Sequence, residues 1–196
     1  MTMAQISRES LWTLEHYSRI RNQFRQEVIA HKKLRQVPLG DHITLFFEDE
    51  KTIRYQVQEM LRIEKTFEEA GIQDELEAYN PLIPDGRNFK CTMMIEFPDP
   101  EIRKIELGKL KGVEDRVWVQ VEGREKVFAI ADEDLDREND EKTSSVHFMR
   151  FELDEDMAGA LKYGVSLAMG VDHPHYQVTV DPVAPETRAA LVKDLA

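Results

Sequence analysis

The sequence predicts an α+β fold: one domain over residues 1–196, with a mixed or mainly antiparallel sheet and helices packed on one face. Three observations predict it. Stretches rich in β-branched and aromatic residues recur at 42–48 (HITLFFE), 90–97 (KCTMMIEF) and 145–153. A tight hairpin centred on Gly123 joins residues 116–122 to 125–131, which only antiparallel strands allow. Capped helical stretches lie between these strands without strict strand–helix–strand alternation.

The elements follow in order. Ser7, ahead of Arg8 and Glu9, opens a helix whose Leu11–Leu14 phase fades near Tyr17. Asn22 caps a second helix to about Arg35, with Phe24, Val28, His31 and Leu34 on one side, so the N-terminal helical segment spans about 7–36. Pro38, Leu39 and Gly40 punctuate the chain before strand 42–48. Residues 52–70 form the strongest helix, stopped by Gly71, with a shorter helical piece at 72–79. An irregular loop of Asn80, Pro81, Pro84, Asp85 and Gly86 precedes strand 90–97, and a helix runs from Pro98 to about Leu110. After the hairpin come strand 145–153, a helix capped by Asp154, and a strand at 165–171 ending in Asp172-His173-Pro174. Pro185 opens a tail helix over about 185–195, at the position where its missing N–H costs nothing.

Composition narrows the function. The chain has 196 residues, 41% of them hydrophobic, enough for a real core. No apolar run approaches the roughly 20 residues of a membrane span, and no basic–apolar leader opens the chain. A single cysteine, Cys91, excludes an internal disulfide and Cys-ligated zinc or iron–sulfur sites. These features predict a soluble cytoplasmic protein. The net charge of −12 argues against nucleic acid, where phosphate neutralisation dominates affinity. The charge is uneven. Residues 19–35 carry Arg19, Arg21, Arg25, Lys32, Lys33 and Arg35 against Glu27 alone: either a solvated helix or a docking face for an acidic partner. Residues 132–141 are the acidic pole. Asp132, Asp134 and Asp136 imitate a calcium loop, but Arg137 and Thr143 stand where that loop needs Gly and Glu, so a solvated loop is expected.

Several polar residues stand at awkward positions. At roughly 100° per residue, Ile53, Val57, Met60, Leu61, Ile63 and Phe67 define an apolar face with Glu64 near its middle, Gln56 inside it and Glu59 at its edge. A carboxylate there needs a partner, a proton or a metal. Arg150 is one candidate partner, in which case the pair merely holds the fold. Period-two alternation sets His147 with Met149, Phe151 and Leu153, and Arg150 with Val146, Phe148 and Glu152. Glu96 lies on the more polar side of its strand, and His173 on a strand end, where sites gather. These residues predict a pocket of Gln56, Glu59, Arg62, Glu64 and Arg150, with Glu64, Glu96, His147 and His173 as ligands for iron, zinc or manganese. No phosphate-loop, dinucleotide, zincin or nucleophile-elbow pattern occurs. Cys91, on the apolar side of its strand, reads as inert.

Five segments carry a likeness: residues 55–62 (YQVQEMLR), 79–84 (YNPLIP), 94–96 (MIE), 142–148 (KTSSVHF) and 172–174 (DHP). Together they resemble a bacterial family known only as a domain of unknown function, DUF3501, over nearly the whole chain from Ile6 to Tyr176. The resemblance implies no catalytic role. It does imply a setting, since such genes often adjoin those of rubrerythrin-like proteins and iron–sulfur oxidoreductases: peroxide or iron metabolism.

Two readings follow. In the first, the chain is a metal-binding or redox-linked accessory whose Glu64 and histidines hold an ion or carry protons. In the second, it is a non-enzymatic protein that docks on an iron–sulfur oxidoreductase or rubrerythrin-like protein through Arg25, Lys32, Lys33 and Arg35. A hydrolase or transferase has no motif behind it, and self-association stays open.

Overall fold

The computed structural model describes residues 5–133, 137, 139 and 141–196. The α+β class holds, and among the described residues the strands divide between two antiparallel sheets. Helix α1 (Leu14–Lys33) leads into β1 (Gln36–Leu39) and β2 (Ile43–Phe47), followed by α2 (Glu50–Glu64) and α3 (Glu69–Tyr79). Next come β3 (Asn88–Ile95), α4 (Pro100–Lys109), β4 (Val117–Val121), β5 (Lys126–Phe128) and β6 (Ile130–Ala131). The chain finishes with β7 (Val146–Glu152), α5 (Glu155–Lys162), β8 (Leu167–His173), β9 (Tyr176–Val180) and α6 (Pro185–Leu191). One sheet runs β1-β2-β3-β7-β6 and the other β5-β4-β8-β9.

The inward faces of the two sheets share one core. Leu45, Phe47, Phe89, Met93 and Phe151 of the first meet Val117, Val119, Leu167 and Met169 of the second, all essentially inaccessible. Burial of such side chains contributes roughly 1.5–3 kcal/mol each, the main term holding the sheets together. Gly170 stands opposite Trp118 in the β4–β8 ladder, and any side chain there would collide with the indole. A second apolar cluster joins α2 and α3 through Ile53, Val57, Leu61, Ile72 and Leu76, and a third fixes α1 through Tyr17, Phe24 and Val28.

Several expected boundaries differ. Residues 14–33 form one helix, capped by Thr13, whose side chain accepts the His16 N–H; Asn22 lies inside it and caps nothing. Residues 8–10 form only a short 3-10 turn. The helix expected to reach Ala70 stops at Glu64, because Lys65 turns left-handed (φ 54°) and the Thr66 N–H bonds back to the Leu61 carbonyl at 3.0 Å. Gly71 stops nothing and belongs to α3. Asp172-His173 does not end in a loop cluster. It closes β8, which turns straight into the unforeseen strand β9.

Candidate functional site

The postulated pocket around Glu64 does not form. Glu64 has the phase of Ile53 and Val57, but the apolar stripe is covered only as far as Leu61, so the last turn carries Glu64 into solvent. Ile63 and Phe67, which widened the expected face, are 60% and 68% exposed. The buried polar residues of α2 are instead Thr52, in its first turn, and Gln58, whose amide oxygen accepts the Trp12 N–H at 2.8 Å. Gln56 is half-buried.

Glu59 is the carboxylate that α2 does engage. Arg21 clamps it with Nε at 2.7 Å and Nη2 at 2.9 Å, Tyr17 donates at 2.7 Å, and Arg62 donates at 3.2 Å. These donors, Arg21 foremost, hold its carboxyl at about 2, and burial with the Glu59 carboxylate pushes the Tyr17 phenol up. This cluster rivets α1 to α2. Arg150 pairs not with Glu64 but with Glu133 (2.7 Å) and Glu152, and these raise its pKa further.

The four expected ligands stay apart. Glu96 is exposed. His173 is buried and satisfied: its Nε2 lies 3.0 Å from the Lys111 carbonyl, and its Nδ1 accepts the His175 N–H at 3.2 Å. Only His147 belongs to a group of metal-capable side chains among the described residues, and its companions are Glu114 and Asp132. The docking set also changes. Arg25 and Lys33 are exposed and Lys32 half-buried, but Arg35 is 2% exposed. Its guanidinium bonds the carbonyls of Phe47, Glu48 and Ala190 and the Asp194 carboxylate, so it ties α1 to the chain end and cannot dock a partner.

His147 heads β7, pointing into the core with no exposed surface. Its Nδ1 lies 2.5 Å from Oδ2 of Asp132, a residue held in the left-handed region (φ 51°). Asp132 is pinned there by the Phe148 N–H at 3.0 Å and by Arg137 at 3.0 Å. On the opposite side of the ring, Nε2 faces the Ser144 carbonyl at 3.0 Å, Thr143 Oγ1 at 3.1 Å and Glu114 Oε2 at 4.0 Å. Thr143 Oγ1 also lies 3.3 Å from Glu114, so its one proton serves two acceptors. With Nδ1–H committed to Asp132, the Nε2 lone pair confronts a carbonyl lone pair. The other tautomer sets a lone pair against the Asp132 carboxylate. Oxygens thus crowd Nε2, and of the three named neighbours the Thr143 hydroxyl alone is able to donate to its lone pair.

A cleft of about 640 Å³ lies elsewhere, over the outer face of β3 and β7. Tyr79, Leu82, Ile130 and Phe148 give it apolar walls, and Glu48, Glu75, Lys90 and Arg150 give it charge.

The comparisons fit this picture of a fold without an assigned reaction. The family described as "Protein of unknown function (DUF3501)" matches residues 5–195. The chain belongs to the DUF3501 family. A crystal structure described as a novel protein of unknown function from Burkholderia pseudomallei is 51% identical with a TM-score of 0.94, over 98% of this chain and 100% of that one. Nothing among the curated proteins matches. As for membranes, no helix among the described residues of this DUF3501 protein is long and apolar enough to cross one.

Sequence reasoning missed Glu114, Asp132 and Thr143 as companions of His147. Asp132 stood out only as part of an acidic run, and nothing in linear spacing joins it to a histidine fifteen residues on. Pairing of β6 with β7 brings them together.

Proposed function

We propose that this protein is a metal-binding accessory whose ion, a first-row divalent cation, sits beside His147 Nε2. Glu114, Thr143 Oγ1 and the Ser144 carbonyl complete the donor set, and Asp132 braces the far ring nitrogen. The observation that carries the reading is the set of oxygens gathered round Nε2, from the Ser144 carbonyl, the Thr143 hydroxyl and the Glu114 carboxylate, with Asp132 against Nδ1. A carboxylate on the distal nitrogen is how proteins orient a ligating imidazole. The separations of Nε2 from its oxygen neighbours, 3.0 to 4.0 Å, suit donors gathered round an ion at about 2.0–2.2 Å. Nitrogen, carboxylate, hydroxyl and carbonyl together favour zinc, iron or manganese. Iron would give the redox link to peroxide or iron metabolism that the family resemblance implies, in a cytoplasmic setting where a lone thiol stays reduced.

Metal analysis of untagged protein tests this. About one equivalent of metal is expected, with EDTA lowering Tm and Mn²⁺, Fe²⁺ or Zn²⁺ restoring it. Glu114→Gln should weaken the ion at least tenfold while the protein stays folded. Absence of stoichiometric metal together with a Tm indifferent to all three ions overturns the reading.

A second reading, docking on an acidic face of an iron–sulfur oxidoreductase or rubrerythrin-like protein, is favoured by α1. Arg19, Arg25, Lys32 and Lys33 make no ion pair among the described residues, and Ile29 beside them is 45% exposed. Reversing the charge of Arg25 and Lys33 should abolish a salt-sensitive pull-down of such a partner; unchanged capture refutes it.

A further inference from the structure

In the cleft over the outer sheet face, Glu48 and Lys90 are immediate neighbours, since the Glu48 N–H donates to the Lys90 carbonyl at 2.8 Å. Opposite charges so placed on one sheet face would ordinarily pair. Here they do not: neither takes part in an ion pair within 4.0 Å among the described residues. The Glu48 carboxylate accepts the Thr92 hydroxyl at 3.0 Å and the Thr52 hydroxyl, while the Lys90 ammonium donates to the Pro81 carbonyl. Each charge is thus turned toward neutral hydrogen-bond partners rather than toward the other, while Asp85, Glu133 and Glu152 act on Lys90 only from beyond ion-pair distance.

Arg150 and Glu75, also in the cleft, do not fill this role. Arg150 is neutralised by Glu133 and Glu152. Glu75, on the opposite wall, is pushed toward its neutral form by burial and by Glu64 and Asp74 nearby. Burial lowers the Lys90 pKa against the opposing pull of Asp85, Glu152 and Glu133, the mark of an ammonium short of solvent. Around the pair stand Tyr79, Leu82, Ile130 and Phe148, and the volume of about 640 Å³ is that of a small-molecule site.

We infer that this cleft binds a zwitterionic small molecule of the α-amino acid class, its ammonium on Glu48, its carboxylate on Lys90 and its apolar side chain against Tyr79, Leu82 and Phe148. The adjacency of the two protein charges selects a ligand whose own charges are adjacent, as on an amino acid head, over one with charges at its two ends. This inference stands apart from the metal proposal and shares no residue with it.

Calorimetric titration of the full chain with three probes tests it: L-phenylalanine, 2-phenylethylamine, which lacks the carboxylate, and 3-phenylpropanoate, which lacks the ammonium. Phenylalanine should bind at least tenfold more tightly than either analogue. Lys90→Met should weaken phenylalanine about tenfold and leave phenylethylamine unchanged, and Glu48→Gln should spare only phenylpropanoate. Circular dichroism of both variants verifies the fold. Equal affinity for all three probes, no binding of any of them, or an unaltered preference in Lys90→Met overturns the inference.

Discussion

Glu59→Gln isolates the contact on which the helical layer depends. Gln keeps the size and one acceptor, but it loses the charge that Arg21, Arg62 and Tyr17 converge upon. The carboxyl is held at about 2, against 4.5 for a free glutamate. At about 1.4 kcal/mol per pH unit, that shift corresponds to about 3 kcal/mol of gross stabilisation. Arg21 and Arg62 are 29% and 37% exposed, so water screens the pairing and about 1–2 kcal/mol is the net expectation. The sign follows from the depressed pKa: the contribution is complete above the unfolded value and is lost as pH falls through the folded one. Urea unfolding of wild type and variant should therefore differ by that amount at pH 7. The gap should shrink to less than half by pH 3 and close near pH 2. A gap that is constant with pH, or absent at pH 7, would refute the assignment of Glu59 as the ionic rivet between α1 and α2.

Three further outcomes are expected. Arg35→Ala should cost about 3–5 kcal/mol in urea unfolding, because it strands the buried Asp194; a loss under 1 kcal/mol would contradict that. Burial raises the Asp194 carboxyl from 3.8 to about 6, so the folded state holds more proton than the unfolded one between those values. Stability from this group falls as pH rises through that window, and Asp194→Asn should remove the decline. Glu64→Gln should change stability by no more than about 0.5 kcal/mol, as for other exposed sites, and a larger loss would restore a role for Glu64. The Cys91 thiol, raised well above its ordinary pKa by burial, should resist a thiol reagent until the chain unfolds; rapid labelling of native protein would show the core to be open there.

Strand positions were legible because period two survives in the residues themselves. His147, Met149 and Phe151 alternate inward, and Cys91, Met93 and Ile95 do the same across the ladder. The helix argument was half right. The phase of Glu64 on α2 was read correctly, but phase says nothing of how far along its axis a helix is covered. The left-handed turn at Lys65, a residue with no glycine signal, ended the helix six residues early. Division of the strands between two sheets was not legible either, since β5 and β6 are parted by a single residue, Ala129, yet belong to different sheets. His147 was singled out for standing on an apolar face, which was sound. Its companions come from a 3-10 turn (Glu114), the residue after β6 (Asp132) and the approach to β7 (Thr143), brought together by tertiary structure. Glu48 and Lys90 looked like unremarkable strand ends, and only their turning away from each other marks them.

Anomalous diffraction from crystals of this protein grown with Mn²⁺ or Zn²⁺ tests the account most directly. A peak within about 2.3 Å of His147 Nε2, also contacted by Glu114, is the predicted result. An imidazole whose Nε2 remains in hydrogen-bond contact with the Ser144 carbonyl, with no peak beside it, would contradict the metal centre and leave His147 a structural residue of the core.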